Sequence, residues 1–125
     1  MSSLRLALAS IVLVFAIACG GYSASPPLTP SVTPTPGGPA VAIPAGAASL
    51  GNRAYSPDDL DVTVGSTVTW TNTDSTAHTS TSDLTGWSSG DIAPGKQFSV
   101  AFPTAGTFKY HCTIHPGMVG TVSVH

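Results

Sequence analysis

Cys112, His115 and Met118 stand at the spacing Cys-x-x-His-x-x-Met near the end of the chain, with His78 upstream of them. One thiolate, two imidazoles and a weak thioether are the donor set of a blue-copper electron-transfer site. The soft sulfur donors favour Cu(I) and imidazole suits both oxidation states, so a site that hardly rearranges between them passes an electron at little structural cost. Four donors leave no position for a substrate. That argues for a carrier and against an enzyme, because catalytic metal sites usually keep a position open. Taken singly, each residue has a plainer reading: Cys112 as an inert buried thiol, Met118 as core filling, His78 as an ordinary loop histidine. Their joint spacing favours the metal.

Strand parity bears on the same residues. In Gly106-Thr107-Phe108-Lys109-Tyr110-His111-Cys112, side chains alternate across the strand, so Phe108, Tyr110 and Cys112 share the core face and Thr107, Lys109 and His111 the other. His111 therefore points away from the metal although it adjoins Cys112, and His111 and His125 read as solvent-facing and structurally neutral. Beyond Cys112 the chain must curl so that His115 and Met118 turn back toward the thiolate, and Pro116-Gly117 supplies the turn chemistry. His78 is expected on a preceding buried strand.

These runs resemble a known family. Gly-Thr-Phe-Lys-Tyr-His-Cys-Thr-Ile-His-Pro-Gly-Met-Val-Gly-Thr-Val-Ser-Val from 106 to 124, with Pro94-Gly95, Phe98 and the Trp70-Thr71-Asn72 run leading to His78, is similar to the plastocyanin and amicyanin branch of the cupredoxins. The short ligand loop looks like that of amicyanin. The resemblance implies one type I copper, with His78, Cys112 and His115 in a trigonal plane and Met118 setting the potential from the axial position. It implies an electron carrier that meets a redox donor and acceptor transiently, through a small apolar patch (Pro116, Gly117, Val119, Gly120, Ile114) around the exposed edge of His115. In one respect the chain departs from the family. Asn often follows the first His ligand, whereas Thr79 follows His78, and a Thr hydroxyl can replace part of the hydrogen bonding between the ligand loops.

The supporting elements read as an all-β fold, a Greek-key β-sandwich. Val62 and Val64 alternate with Thr63; Val68, Trp70 and Asn72 with Thr69 and Thr71; Phe98, Val100 and Phe102 with Ser99 and Ala101; Val122 and Val124 with polar neighbours. This is the two-residue period of strands with one buried face. Turn signals separate them at Pro57-Asp58, Gly65-Ser66, Asp74-Ser75, Pro94-Gly95 and Pro103 to Gly106, as a sandwich requires. Trp87, between 80 and 90, reads equally as a core aromatic or as part of a surface loop.

The N-terminus reads as export machinery. Residues 1–18 combine one positive charge with the apolar run Leu6 to Ile17, which is a secretory signal too short for a confident membrane span. Ala16-Ile17-Ala18-Cys19 resembles a bacterial lipobox, so Cys19 is expected to carry lipid and to anchor the protein in a membrane; the alternative is a plain signal peptide cut nearby. Residues 19–40, rich in Pro, Ser and Thr, read as a disordered spacer, extended at about 3.1 Å per residue, or merely as a disordered tail. Residues 41–125 form the copper domain. The expected location is periplasmic or on the outer face of a bacterial membrane.

Composition agrees. A net charge of −2 with only 8% charged residues excludes a basic nucleic-acid-binding surface. The chain has two cysteines; with one carrying lipid and the other metal, none is left for a disulfide. A monomer is expected. Two competing functions remain: copper storage or delivery outside the cytoplasm, and a thiol enzyme using Cys112 and His115, against which the inward parity of Cys112 speaks.

Overall fold

A computed structural model describes residues 36–84 and 86–125. The signal segment, Cys19 and the spacer before residue 36 lie outside the described residues. Seven strands follow in chain order: β1 (Ala40–Ile43), β2 (Asp59–Val62), β3 (Thr67–Asn72), β4 (Thr81–Ser82), β5 (Gln97–Ala101), β6 (Gly106–His111) and β7 (Val119–Val124). The only helical pieces among the described residues are two single 3-10 turns, Ala47–Ser49 and Gly51–Arg53.

The strands form two sheets, ordered β1-β3-β5 and β2-β7-β6-β4. β1 runs parallel to β3, and β2 parallel to β7, while β3–β5, β4–β6 and β6–β7 are antiparallel. Parity decides which faces meet. Val41 and Ile43 of β1, Val68, Trp70 and Asn72 of β3, Tyr110 of β6 and Val122 and Val124 of β7 are all buried, and the apolar ones join a single core between the sheets. Thr69 points the other way and is also buried, its hydroxyl paired with that of Ser99 on β5 at 2.8 Å. Removing these large side chains from water stabilises the sandwich by about 1.5–3 kcal/mol each.

An aromatic cluster fills the centre. Trp70 meets Tyr110 edge-on with ring centroids 5.3 Å apart, Tyr110 meets Tyr55 at 4.8 Å, and Trp87 lies 5.4 Å from Phe102. Trp87 is thus partly buried and packed against the core, with its indole N–H donating to Ser80 Oγ at 3.0 Å. Tyr110 also explains Gly120. The two are paired across β6 and β7, and a Cβ at Gly120 would lie 2.5 Å from the Tyr110 ring and hydroxyl.

Two expectations need correction. Val64 does not continue the alternation begun by Val62: β2 ends at Val62 and Val64 is 50% exposed. The chain is already turning there, with the Val64 N–H bonded to the His125 carbonyl and the Gly65 N–H to that of Phe102. His78 is not on a strand either. Its backbone exchanges two hydrogen bonds with Ile92, at 3.2 and 2.7 Å, as an isolated bridge between loops.

Candidate metal centre

The ligand loop grows out of the end of β6. Parity turns Cys112 inward, where it is 3% exposed, and its N–H donates to the Met118 carbonyl at 3.0 Å, closing the loop onto itself. Gly117 has φ 91°, a conformation that glycine adopts without strain, and it lets the chain reverse between His115 and Met118. The Met118 side chain is fully buried, and His115 is half-buried.

His78 comes from the other side, on the loop after β3. That loop is laced internally. The Asn72 side-chain amide donates to the carbonyls of Thr76 and Ile92 at 2.7 and 2.8 Å, and its oxygen accepts the Asp74 N–H at 2.9 Å. The result is a fully buried imidazole whose Nδ1 faces His115 Nδ1 at 3.1 Å. Cys112 Sγ lies 3.9 Å from the same His115 nitrogen. One donor atom from each of the three residues lies within 4.8 Å of the others. Metal–imidazole bonds are about 2.0–2.1 Å and metal–thiolate bonds about 2.3 Å, so one ion can reach all three.

The surroundings hold the donors in place. The Thr79 N–H points at Cys112 Sγ at 3.3 Å. Thr79 Oγ1 accepts the Thr113 N–H at 2.8 Å and lies 3.2 Å from the Thr113 hydroxyl, so Thr79 does tie the two ligand loops together. The Tyr55 hydroxyl donates to the Thr79 carbonyl. Burial, with the charge of Cys112 second, pushes the Tyr55 phenol well above its ordinary range and keeps it a donor. Behind His78, Nε2 lies 2.8 Å from Asp74 Oδ2. That hydrogen bond, followed by those from the Gly46 and Ser75 N–H groups, holds the Asp74 carboxyl well below the usual carboxylate range.

His78, Cys112 and His115, anticipated from spacing, are therefore brought together, with Met118 buried at the end of the same loop. His111 points away from the cluster, as parity required. On that outer face its Nδ1 lies 2.6 Å from Asp83 Oδ1, an exposed pair of the kind that contributes little to stability. The His125 side chain is exposed. Sequence reasoning missed Asp74, although an acidic residue four positions before His78, in a segment already marked as a turn, was a usable signal.

Residues 43–125 match the family model of copper binding proteins, plastocyanin/azurin family. This chain belongs to that family. It is 36% identical to an amicyanin from Paracoccus denitrificans over 80 residues, a match spanning 60% of this chain and 61% of the amicyanin. To a plastocyanin from Scenedesmus fuscus it is 34% identical over 90 residues, spanning 62% of this chain and 92% of the plastocyanin. Among solved structures it resembles a purple cupredoxin from Nitrosopumilus maritimus, with a TM-score of 0.66 and 35% identity over 70% of this chain and 99% of that one. An oxidised amicyanin variant gives a TM-score of 0.63 at 30% identity, over 74% of this chain and 86% of that one. The fold is the cupredoxin Greek-key β-sandwich, and copper is the cofactor of the family. The donors fit it: a buried Cys112 sulfur with imidazole nitrogens facing it is a mixed soft and borderline set, which suits copper better than a hard cation.

Proposed function

We propose that this protein carries single electrons between redox partners outside the cytoplasm, holding one copper ion through His78, Cys112, His115 and Met118. Bound copper supplies the redox change, one electron between Cu(II) and Cu(I). The protein's part is to hold still. The observation that carries the reading is the convergence of three donors from two loops within 4.8 Å, fixed by hydrogen bonds that involve no metal. A cluster held in this way resists the geometric change that would slow electron exchange. Met118, fully buried, adds a weak fourth donor and leaves no substrate position, which supports a carrier over an enzyme.

Electrons would pass at His115. Beside this half-buried residue in the chain are exposed Pro116 and Gly117, with Ile114 43% and Val119 45% exposed. Gly120, expected in the same patch, is instead buried, packed against Tyr110 on the neighbouring strand. A small apolar patch of this kind suits the limited interfaces of transient redox encounters. The domain at 41–125 would work as a monomer, held near a membrane by a lipid on Cys19 and the 19–40 spacer, in the periplasm or on the outer face. Among the described residues no helix is long and apolar enough to cross a membrane.

The test is a visible spectrum of the full chain after addition of Cu(II). An intense thiolate-to-copper band, bleached by a reductant and restored by an oxidant with the metal retained, is the expected result. Absence of the band would overturn the site, and loss of copper to a chelator on each reduction would favour storage or delivery.

A further inference from the structure

The His78 ring is gripped from behind as well as aimed from the front. Asp74, whose Oδ2 faces His78 Nε2, is only 7% exposed. Its Oδ1 accepts the N–H groups of Gly46 and Ser75 at 3.1 and 2.7 Å, and its Oδ2 also accepts the Thr76 hydroxyl at 3.2 Å. Gly46 lies between β1 and the first 3-10 turn, 28 residues from Asp74. The carboxylate is therefore fixed to the body of the sandwich and not only to its own loop.

Two consequences follow from elementary chemistry. A neutral imidazole has one N–H and one bare nitrogen, and an ionised carboxylate can only accept. The ring proton must then sit on Nε2, which leaves the Nδ1 lone pair directed at His115 and Cys112. Metal-bound histidines commonly donate their other N–H to a carboxylate, which fixes the tautomer and raises the basicity of the ligand. The second consequence is charge. A negative group buried beside the donors is poorly screened, and it attracts a doubly charged ion more than a singly charged one.

We propose that Asp74 is a positioning residue for the metal centre: it locks His78 in the Nε2–H form with Nδ1 free, and it biases the site toward Cu(II). The proposal rests on the ligand assignment made above. Asn at the same place would keep an acceptor oxygen but lose the charge, and its NH2 group could present itself to His78 instead and release the tautomer.

The experiment compares the full chain with Asp74→Asn and Asp74→Glu by Cu(II) and Cu(I) competition, redox titration, and 15N NMR of the metal-free protein. In the metal-free wild type, His78 should carry its proton on Nε2. In Asp74→Asn, Cu(II) affinity should fall about 10- to 100-fold and Cu(I) affinity less, so that the potential rises by about 59 mV for each tenfold of the difference. Asp74→Glu should recover most of that shift. Equal losses for the two oxidation states, with the potential unmoved, would mean that Asp74 merely staples its loop, and would overturn the proposal. Should Asp74→Asn not fold, the wild-type spectrum still decides, since a metal-free His78 protonated on Nδ1 refutes the lock. A wild-type chain that gives no thiolate-to-copper band would overturn the ligand assignment itself, a failure distinct from the other two.

Discussion

The Thr79 backbone N–H and the Cys112 sulfur meet at 3.3 Å although 33 residues separate them. The next residue along reinforces the contact, because Thr113 donates its N–H to the Thr79 hydroxyl at 2.8 Å. Each of the two donor loops is thus tied to the other at the residue following its donor. The first tie uses the Thr79 backbone and survives substitution of Thr79, while the second depends on the Thr79 side chain.

Thr79→Val keeps the shape of a residue that is 3% exposed and removes only its hydroxyl. The metal-free protein should lose about 1–3 kcal/mol, because the Thr113 N–H and hydroxyl lose their common partner, with the visible band of the copper form kept because the N–H to sulfur contact remains. Denaturant unfolding of Thr79→Val and Thr79→Ser measures this. Ser should hold its midpoint, and an unmoved midpoint for Val would show that the hydroxyl does not bind the loops.

What was legible in the sequence is what periodicity controls. Alternation placed Tyr110 and Cys112 on the core face and His111 on the other, because a strand leaves only two choices. It failed where hydrogen bonds outside the sheets decide the path. Val64 follows the last residue of β2 by two positions and is carried out to solvent by its bond to His125. His78 gains its rigidity from Ile92, Asn72 and Asp74, loop partners that no period announces. The Asp83 partner of His111 is hidden for the same reason, since it comes from the irregular stretch after β4. The turn from Cys112 to Met118 was legible, because its residues are close in sequence and a turn there has few solutions.

Gly120→Ala tests the packing between β6 and β7. The added methyl would lie 2.5 Å from the Tyr110 ring and hydroxyl, and Tyr110 is hemmed in by Tyr55 and Trp70. Overpacking of this kind costs about 1–3 kcal/mol. A drop of that size in the unfolding free energy is expected, with the visible spectrum little changed. Wild-type stability would show that the Tyr110 ring has room to move.

Cys112→Ser replaces a soft anion with a hard hydroxyl that stays protonated at neutral pH. Copper should bind weakly and without the intense visible band. Apo stability should also fall, by about 1–3 kcal/mol, because a polar hydroxyl replaces a sulfur that is 3% exposed. Retention of the same band would remove Cys112 from the site.

The anchor is tested on the full chain in a bacterial host. With Cys19 lipidated, the protein should partition into membranes, and Cys19→Ser should release it or block its processing. Equal partitioning of the two forms would leave the plain signal-peptide reading.

Met118 allows ligand and packing roles to be separated by sign. The side chain is fully buried, so Met118→Leu conserves volume and should cost less than about 1.5 kcal/mol in the metal-free protein. It nevertheless removes the thioether. An axial donor tunes the potential of such a site. A soft sulfur favours Cu(I) more than an oxygen would, but the more highly charged Cu(II) gains more from any electron pair than Cu(I) does, so Leu, which offers none, should raise the potential. Met118→Gln offers a harder oxygen in the same place, which stabilises Cu(II) further and should lower the potential, at a larger cost to apo stability because a polar group is buried. A packing role predicts a different result: both variants would follow their effects on stability and leave the potential alone. Redox titration beside denaturant unfolding of the two variants distinguishes these outcomes. Opposite shifts in potential identify Met118 as a ligand, and two unmoved potentials would leave it as part of the core.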